Sequence, residues 1–244
     1  MAITAILLAA GYATRLYPLT KDKPKALLPL ADGVILDEIV CEFGPDITKR
    51  ILVTNHRFAH LFRQWRADGH SDIDIIDNGT ETAETRLGAI RDLELARVQG
   101  RAEGDLLVIG TDNLFTWPLA EFIAQAQRRR PAPSVALWEA PSRQDAVQFG
   151  VVTLNGGARI SAFVEKSSDP PSALVATCVY YFPEAMCGKI TEFLATKENA
   201  DAPGFFIKWL AECAAVYGIV MGAGWYDIGT LQAYEQVRAA WPSS

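Results

Sequence analysis

Residues 8–30, LAAGYATRLYPLTKDKPKALLPL, combine residue types that can handle phosphate groups. They start at the end of an apolar run, where Gly11 permits a tight turn and a close approach of the backbone to a ligand. Backbone N–H groups in such a loop can cradle phosphate oxygens. Arg15 can hold a phosphate through two parallel hydrogen bonds, and Lys25 can add a point charge. Because phosphoryl and nucleotidyl transfer depend mainly on positioning and charge neutralisation, two cations near one loop suit that chemistry.

Two common phosphate-binding motifs are missing from this segment. A P-loop requires Gly-x-x-x-x-Gly-Lys followed by Ser or Thr, and the segment contains no such run. A dinucleotide fingerprint requires three glycines, but Gly11, Ala13 and Leu16 occupy those positions and supply only one. A clear ribose-binding acid is also missing at the expected distance, so the sequence argues against an NAD-dependent oxidoreductase.

Two aspartates each lie beside glycine in segments far apart in the sequence. Asp112 occurs in GTDN, directly after the apolar run at residues 105–109, and Asp227 occurs in GWYDIGT. Side chains at the carboxyl ends of strands face the ligand crevice of an open α/β sheet. Mg²⁺ prefers one or two carboxylates together with phosphate oxygens and water. The two acids therefore predict a magnesium site, although each aspartate on its own could instead cap a turn or begin a helix.

Apolar runs alternate with helical patterns in the first half of the chain. Continuous apolar runs predict strands that are buried on both faces, as in a parallel sheet. These runs lie at residues 3–10, 50–54, 73–76 and 105–109, and the helical patterns lie at residues 37–43, 57–67 and 86–98. The alternation predicts an α/β fold with a Rossmann-like, mostly parallel mixed sheet and helices on both faces.

Shorter connections are predicted in the second half of the chain. Strands are expected at residues 135–139, 150–154, 160–165 and 173–182, and helices at residues 185–196, 203–214 and 231–240. Asn155 and the two glycines after it indicate a hairpin turn. Asp201 is placed to cap the helix in whose first turn Pro203 lies, and the three arginines at 128–130 are expected to end another helix. We expect one domain, 1–244, with a nucleotide-binding half at 1–115 and a substrate-binding half at 116–244.

Composition limits the class of protein. The 244 residues are 50% hydrophobic and 21% charged, which fits one globular core. A net charge of −6 argues against nucleic acid as a partner, because binding its phosphate backbone needs clustered Lys and Arg. The four cysteines lack the two-residue spacing of a zinc or redox motif and predict a reducing compartment. The apolar start is too short for a membrane span and lacks the pattern of a signal peptide, so we expect a cytoplasmic protein without membrane contact.

Together these motifs resemble the sugar-phosphate nucleotidyltransferase family over nearly the whole chain. The resemblance lies in AGxxTRLxPLT, KPKxLLP, TDN and WYDIGT. It implies an NTP and a sugar 1-phosphate as substrates, Mg²⁺ as cofactor and pyrophosphate as a product. It assigns Leu8, Ala10, Gly11 and Thr14 to the nucleotide, Arg15, Lys25 and Asp112 to catalysis, and Asp112 with Asp227 to the metal.

The second half follows the family pattern with some departures. The resemblance assigns substrate contacts to Asn113, Gly150, Glu165, Lys166 and Thr177. This chain has Thr111, Ser167 and Cys178 where the family usually has glycine, proline and glycine, and Phe149 where it usually has tyrosine. Cys178 is predicted to be a small buried hydrophobic residue, because a substrate phosphate is itself the nucleophile and no covalent intermediate is needed.

Residues 78–90, NGTETAETRLGAI, occupy the place of the family's base-reading segment. Thymidylyltransferases of the family usually have Gln and Pro-x-Gly-Leu-Ala there, and this chain has neither. The segment is more similar to short members, which include cytidylyl and guanylyl transferases. Asn78, Thr82 or Arg86 could read the base or the ribose, or the threonines could instead cap the following helix. The base and the sugar therefore stay open.

Two alternative functions also stay open. A catalytically silent regulatory protein that binds nucleotide sugars would keep the fold and lack the loop cations or the metal acids, whereas all four residues are present here. A cytidylyltransferase acting on phosphocholine or a phosphonate would use the same machinery on another acceptor. The resemblance is to a short form without the C-terminal β-helix of some relatives, and short relatives are usually homodimers.

Overall fold

The computed structural model describes residues 2–196 and 198–241. The strands are β1 (Ile3–Leu8), β2 (Pro29–Leu30), β3 (Gly33–Val34), β4 (Ile47–Thr54), β5 (Ile73–Asp77), β6 (Asp105–Gly110), β7 (Asn113–Phe115), β8 (Ser134–Glu139), β9 (Gly150–Leu154), β10 (Ile160–Glu165), β11 (Leu174–Phe182), β12 (Tyr217–Val220) and β13 (Trp225–Asp227). The helices are α1 (Ile35–Val40), α2 (His56–Ala67), α3 (Ala89–Gln99), α4 (Leu119–Gln127), α5 (Gly188–Ala195), α6 (Pro203–Cys213) and α7 (Leu231–Ala240). None of the helices in these two ranges is long and apolar enough to cross a membrane.

A mixed sheet of nine strands forms the centre of the molecule. Its order is β10-β9-β11-β6-β1-β4-β5, and β8 pairs with both β11 and β12. The strands β6, β1, β4 and β5 run parallel, with Ile6 of β1 opposite Val108 of β6 and Ile51 of β4. The side chains of β1 are almost all buried, as expected for a central strand that is covered on both faces.

Helices cover the two faces of this sheet. Successive residues of β1 point to opposite faces, so Leu7 packs in a core cluster with α1, α2, α4 and α7, and Ile6 packs in a second cluster with α3, α5 and α6. Phe62 of α2 and Phe206 of α6 are among the largest fully buried side chains of the two clusters. This burial on both faces fixes β1 and therefore the position of the loop that leaves its carboxyl end.

β11 connects the parallel part of the sheet to the antiparallel part. It pairs with β6 on one side, with Val179 opposite Ile109, and it also pairs with β8 and β9. Its register with β8 shifts between Ala176 and Tyr180. Within that stretch Cys178 has a φ of 56°, a left-handed conformation that favours glycine. The residue that departs from the family's glycine thus occupies a position where the backbone itself favours glycine.

The predicted fold class is confirmed, and so is the hairpin between β9 and β10, where the Asn155 side chain accepts hydrogen bonds from the N–H groups of Gly157 and Arg159. Several local predictions are wrong. α3 begins at Ala89, three residues after the predicted start, and α1 runs from 35 to 40 instead of 37 to 43. Asp201 does not cap α6, because its carboxylate pairs with a guanidinium group instead of a helix N–H. The short strands β7 and β12 had not been predicted.

Candidate active site

A cavity of about 640 Å³ opens at the carboxyl ends of β1 and β6. Its wall is formed by the loop after β1, the segment after β6, the start of α3, and parts of β9, β10, β11 and β13. The sequence-predicted residues that line it are Leu8, Ala10, Gly11, Thr14, Arg15, Lys25, Asp112, Asn113, Gly150, Glu165, Lys166 and Asp227. The fold therefore brings most of the predicted site residues to one place.

The loop after β1 is held in shape by hydrogen bonds to its backbone. Ala13 has a left-handed φ of 48°, and its carbonyl oxygen accepts a bond of 2.7 Å from the buried hydroxyl group of Thr20. The side chain of Asn55, at the start of α2, donates to the Ala10 carbonyl oxygen at 3.0 Å. A backbone fixed in this way can present N–H groups to a ligand without first paying the entropy of ordering.

Lys25 forms an ion pair with Asp112 across the cavity. The Nζ atom of Lys25 lies 3.2 Å from Oδ2 of Asp112. Lys25 begins a 3₁₀ turn, Lys25–Leu27, whose next residues are buried in the core, so the main chain that carries the ammonium group is firmly placed. The pair brings together a cation and a carboxylate that lie 87 residues apart in the sequence.

Asp112 and Asp227 are brought together by the small antiparallel pair of β7 and β13. In this pair Asp227 lies opposite Asn113, and the N–H of Ile228 donates to the Asp112 carbonyl oxygen at 2.9 Å. Burial and the neighbouring Asp112 raise the pKa of Asp227 to about 6, against the opposing effect of Lys25 and Arg15. Two hard oxygen donors that repel each other are a fitting set for a divalent cation that also binds phosphate oxygens. The described residues contain no group of three or more His, Cys, Asp or Glu side chains that could hold a metal, so such an ion would rely on these two acids and its other ligands.

A pair of buried side chains orients the Asp112 carboxylate. Asn113 donates from Nδ2 to Oδ1 of Asp112 at 2.6 Å, and Nε1 of Trp225 donates to Oδ1 of Asn113 at 3.1 Å. Asn113 was predicted to bind substrate, and although it lines the cavity its carboxamide is already engaged on both sides. The sequence analysis assigned no role to Trp225 beyond its place in the WYDIGT motif. No local pattern could indicate its hydrogen bond to Asn113, which lies 112 positions away.

The end of the cavity formed by β9, β10 and the start of α6 carries a partly buried acid beside an exposed lysine. Glu165 ends β10, and burial raises its pKa while Lys166 opposes that effect. A methyl group added at Gly150 would lie 2.9 Å from Oε2 of Glu165, and one added at Gly204 would also collide with it. The two glycines therefore leave room for this carboxylate to reach the cavity.

Two neighbouring residues of β11, Thr177 and Cys178, differ in whether they line the cavity. Thr177 is fully buried, and its hydroxyl group donates to the Ala136 carbonyl oxygen at 2.9 Å, so its side chain lies outside the cavity. Cys178 lines the cavity, and burial, followed by the charge of Asp112, raises the pKa of its thiol to about 12. A thiol with so high a pKa is a poor nucleophile, which agrees with its predicted role as a small apolar residue.

The predicted base-reading residues are only partly at the cavity. Asn78 and Thr82 do not line it: Asn78 is bonded to Thr80 and Asp92, and Thr82 shares hydrogen bonds with Thr85 in an exposed 3₁₀ turn. Asp92 does line the cavity and was missed by the sequence analysis. The available signal was an acid three or four positions from Ala89, Leu95 and Ala96, on an apolar side of the helical pattern.

Arg86 links the segment before α3 to the segment before α6. Its guanidinium group donates to both carboxylate oxygens of Asp201, at 2.8 and 3.0 Å. The first N–H groups of α3 reinforce this link, because those of Ala89 and Ile90 donate to the carbonyl oxygens of Asp201 and Ala200. Arg86 and Asp201 both line the cavity, so the link borders its mouth.

Comparison with known proteins adds a family and a fold. A family model described as nucleotidyl transferase matches residues 4–243. The chain is 25% identical over 231 residues to the bifunctional protein GlmU of Methanococcus vannielii, which covers 92% of this chain and 51% of GlmU. It is 29% identical over 186 residues to the UTP–glucose-1-phosphate uridylyltransferase AglF of Haloferax volcanii, covering 75% of this chain and 72% of AglF. It is 28% identical over 231 residues to the mannose-1-phosphate guanylyltransferase of Mycobacterium tuberculosis, covering 93% of this chain and 61% of that protein.

Two solved structures share the fold. A putative glucose-1-phosphate thymidylyltransferase of Bacillus anthracis, in complex with a sucrose, superposes with a TM-score of 0.83 at 21% identity and covers 97% of this chain and 94% of its own. A UDP-glucose pyrophosphorylase complexed with UDP-glucose gives a TM-score of 0.80 at 18% identity, covering 99% of this chain and 98% of its own. The chain spans about half the length of the GlmU protein that it matches.

Proposed function

The chain belongs to the nucleotidyl transferase family, and from this premise we propose that it transfers a nucleoside monophosphate from an NTP to a sugar 1-phosphate. One observation carries the proposal: Arg15, Lys25, Asp112 and Asp227 line the same cavity at the carboxyl ends of the central strands. Two cations and two metal-binding acids are the groups that transfer of a phosphoryl or nucleotidyl group requires.

The reaction is an in-line displacement at the α-phosphorus of the NTP. A phosphate oxygen of the acceptor forms the new P–O bond while the bond between the α-phosphorus and the bridging oxygen of pyrophosphate breaks. Negative charge accumulates on the leaving pyrophosphate, and Arg15 and Lys25 offset it from the loop after β1. The substrate phosphate is already ionised at neutral pH, so the step needs no general base from the protein.

Asp112 and Asp227 would hold a divalent cation, for which Mg²⁺ is our proposal. When bound, the ion supplies positive charge to the phosphate oxygens of the nucleotide. Lys25 is paired with Asp112, so its ammonium group lies where it can also contact a phosphate oxygen of the nucleotide. Asn113 and Trp225 keep the Asp112 carboxylate in place for that role.

The acceptor sugar is proposed to occupy the end of the cavity near Glu165 and Lys166. A partly buried carboxylate in a space kept open by two glycines is suited to accept hydrogen bonds from sugar hydroxyl groups. Lys166 beside it can attract the acceptor phosphate. Gly150 lines the cavity, and we propose that its lack of a side chain lets the backbone approach the sugar there.

Pyrophosphate release is the test of this function. The protein is incubated with Mg²⁺ and each of CTP, UTP, dTTP, GTP and ATP, crossed with a panel of sugar 1-phosphates, phosphocholine and a phosphonate. We expect release that depends on both an NTP and a sugar 1-phosphate. Release with phosphocholine or the phosphonate alone would assign another acceptor, and nucleotide-sugar binding without any release would favour a regulatory protein.

A matched pair of lysine variants sharpens this test. Lys25→Ala removes the cation at the cavity and is expected to abolish most of the release, whereas Lys23→Ala removes an exposed lysine of the same loop and leaves it unchanged. Equal activity of the two variants would contradict the catalytic role of Lys25. Circular dichroism of both variants establishes that each remains folded.

A further inference from the structure

Asp92 is a buried carboxylate for which the proposed mechanism has no use. It is 6% exposed, lies near the start of α3 and lines the cavity. Among residues 2–196 and 198–241, its hydrogen-bond donor is Asn78, and no Lys, Arg or His forms an ion pair with it. A buried carboxylate is costly unless hydrogen-bond donors satisfy it. Its position in the cavity wall therefore indicates a ligand that brings donors of its own.

The neighbours of Asp92 leave it only the role of an acceptor. Oδ1 of Asn78 accepts from the N–H of Thr80 at 2.9 Å and from its hydroxyl group at 2.8 Å, which fixes the orientation of the Asn78 carboxamide. Nδ2 of Asn78 consequently faces Asp92 and donates to Oδ1 at 2.7 Å. Asn78 is therefore a positioning residue, and Asp92 lines the cavity with further acceptor sites to which no other side chain of the described residues donates.

This network is connected to the loop that is proposed to bind phosphates. The hydroxyl group of Tyr12, which lies in that loop, donates to Oγ1 of Thr80 at 3.1 Å. Tyr12 itself lines the same cavity as the loop cations and Asp92. The nearby guanidinium group of Arg86 is already engaged by Asp201, so this end is suited to an uncharged part of a nucleotide. That part is the base, and the inference rests on the proposed function because it takes the loop to hold an NTP.

The hydrogen-bonding edges of the bases differ in what they offer a carboxylate. Guanine presents two adjacent donors, N1–H and the N2 amino group, which match the two oxygens of a carboxylate. Uracil and thymine present one N3–H between two carbonyl oxygens, and those oxygens would face the negative charge. Cytosine and adenine present an amino group beside a ring nitrogen that is itself an acceptor. We propose that Asp92, oriented by Asn78, reads the N1–H and N2 amino group of guanine and selects GTP as the nucleotide substrate.

Direct binding measurements on the intact chain test this inference without an acceptor. Isothermal titration calorimetry with Mg²⁺ compares GTP, ITP, UTP, dTTP, CTP and ATP. We expect GTP to bind roughly tenfold to a hundredfold more tightly than UTP or dTTP, the range typical of a two-bond base contact. ITP lacks only the N2 amino group, and we expect it to bind about tenfold more weakly than GTP because one of two bonds is lost.

Two aspartate-to-asparagine variants test whether Asp92 is responsible for the preference for GTP. Asp92→Asn keeps the shape of the side chain and replaces one carboxylate acceptor by an amide donor, so it should weaken GTP binding about tenfold or more and remove the preference for GTP. Asp74→Asn removes an exposed carboxylate from β5 and should preserve the preference. An Asp92→Asn variant that still prefers GTP would overturn the assignment to Asp92. The comparison of ITP with GTP uses the unaltered protein and does not depend on how the variant folds.

The outcomes separate this inference from the function on which it rests. Tightest binding of UTP, dTTP, CTP or ATP, or equal binding of all nucleotides, would overturn guanine selection while leaving nucleotidyl transfer in place. An absence of binding by every NTP, together with an absence of pyrophosphate release, would contradict the proposed function itself. Tight binding of GTP with weaker binding of ITP would support both.

Discussion

Asp227 carries a charge that its surroundings disfavour. Burial and the neighbouring Asp112 raise its pKa to about 6, and Lys25, Arg15 and Lys166 oppose this increase only in part. A divalent cation shared by the two aspartates would remove their repulsion. The electrostatic cost of bringing these acids together is thus understandable if they bind a metal ion during the reaction.

We expect Asp227→Asn to lower the turnover number by roughly two orders of magnitude or more, because a neutral amide binds Mg²⁺ weakly and offsets less charge at the α-phosphate. Pyrophosphate release at saturating substrates measures the effect, and a titration with Mg²⁺ should show a higher metal requirement. Asp46→Asn, which changes an exposed acid before β4, is the control. Near-normal turnover in a folded Asp227→Asn variant would remove this residue from the metal site.

The burial of Asp92 leads to a prediction about how the free energy of unfolding depends on pH. Burial raises its pKa to about 6 from a usual value of 3.8, with Asn78 opposing the shift and the charge of Asp201 adding to it. Above pH 6 the carboxylate is ionised in both the folded and the unfolded chain, so the full electrostatic cost of burying the charge lowers the free energy of unfolding. Below pH 3.8 the carboxyl group is protonated in both states, and this loss of stability disappears. A shift of this size corresponds to about 3 kcal/mol at most.

Asp92→Asn is therefore expected to stabilise the protein at pH 8 by about 1–3 kcal/mol, because it removes the buried charge and keeps the bond to Asn78. The gain should shrink as the pH falls from 6 to 4. Urea unfolding at pH 8 and pH 4.5 measures the two differences, with Asp74→Asn as a control that should show neither. A loss of stability at pH 8, or a gain independent of pH, would contradict the prediction. If Asp92→Asn gains stability and loses the preference for GTP, Asp92 lowers stability and contributes to function, as is typical of binding-site residues.

The site residues differ in how far sequence could predict them. Arg15, Lys25, Asp112 and Asp227 lie in long local motifs, and the fold brings all of them to the cavity. Asp92 lies in a helical pattern in which a polar position is normally assigned to solvent. Its carboxylate accepts a hydrogen bond from Asn78, which follows β5, and single-sequence periodicity carries no information about such a contact.

Helices and strands with a clear pattern of apolar residues could be predicted from the sequence. Strands that form only by pairing with a distant strand could not. β1, β5 and β6 are rich in Ile, Leu or Val and occur close to their predicted positions. β7 and β13 have three residues each, too few to show a period, and they exist because they pair with each other across more than a hundred residues. The helix predicted from residue 86 starts later because residues 86–88 pack against the segment before α6.

Gly88 packs closely against the segment before α6. Its φ is 93°, and a methyl group added there would lie 2.7 Å from the Ala200 carbonyl oxygen. We expect Gly88→Ala to destabilise the fold by about 1–3 kcal/mol, because it combines a strained backbone with a backbone clash. It should also weaken nucleotide binding, since Gly88 forms part of the cavity wall.

Urea unfolding and calorimetric titration with GTP measure the two effects of Gly88→Ala. Gly44→Ala is the matched control, because a methyl group there meets no atom within 4 Å and the backbone has no left-handed φ. The control should change neither quantity. Unaltered stability of Gly88→Ala would mean that the segments before α3 and α6 move apart easily.

At the scale of the whole molecule, residues 1–115 and 116–244, the halves to which we assign nucleotide and substrate binding, share one sheet and pack into the same core clusters. β11 of the second half is hydrogen-bonded to β6 of the first. The cluster on one face of the sheet joins Ile90 and Leu93 of α3 to Phe193 of α5 and Phe206 of α6. Separating the halves would expose apolar side chains of both, which is unfavourable in proportion to the area exposed. The two halves are therefore distinct in sequence and continuous in packing.

This continuity predicts a single cooperative unfolding transition for the chain. The calorimetric and van't Hoff enthalpies should agree, and tryptophan fluorescence and far-ultraviolet circular dichroism should give the same midpoint. Phe206 is 1% exposed and contacts the rings of Phe182, Phe193 and Trp209, so Phe206→Ala should destabilise the protein by about 3–5 kcal/mol. Because the core is shared, the loss should lower the whole transition without dividing it. Two separate transitions, or a shift confined to one probe, would show that the halves unfold independently and that 1–115 and 116–244 are better described as two domains.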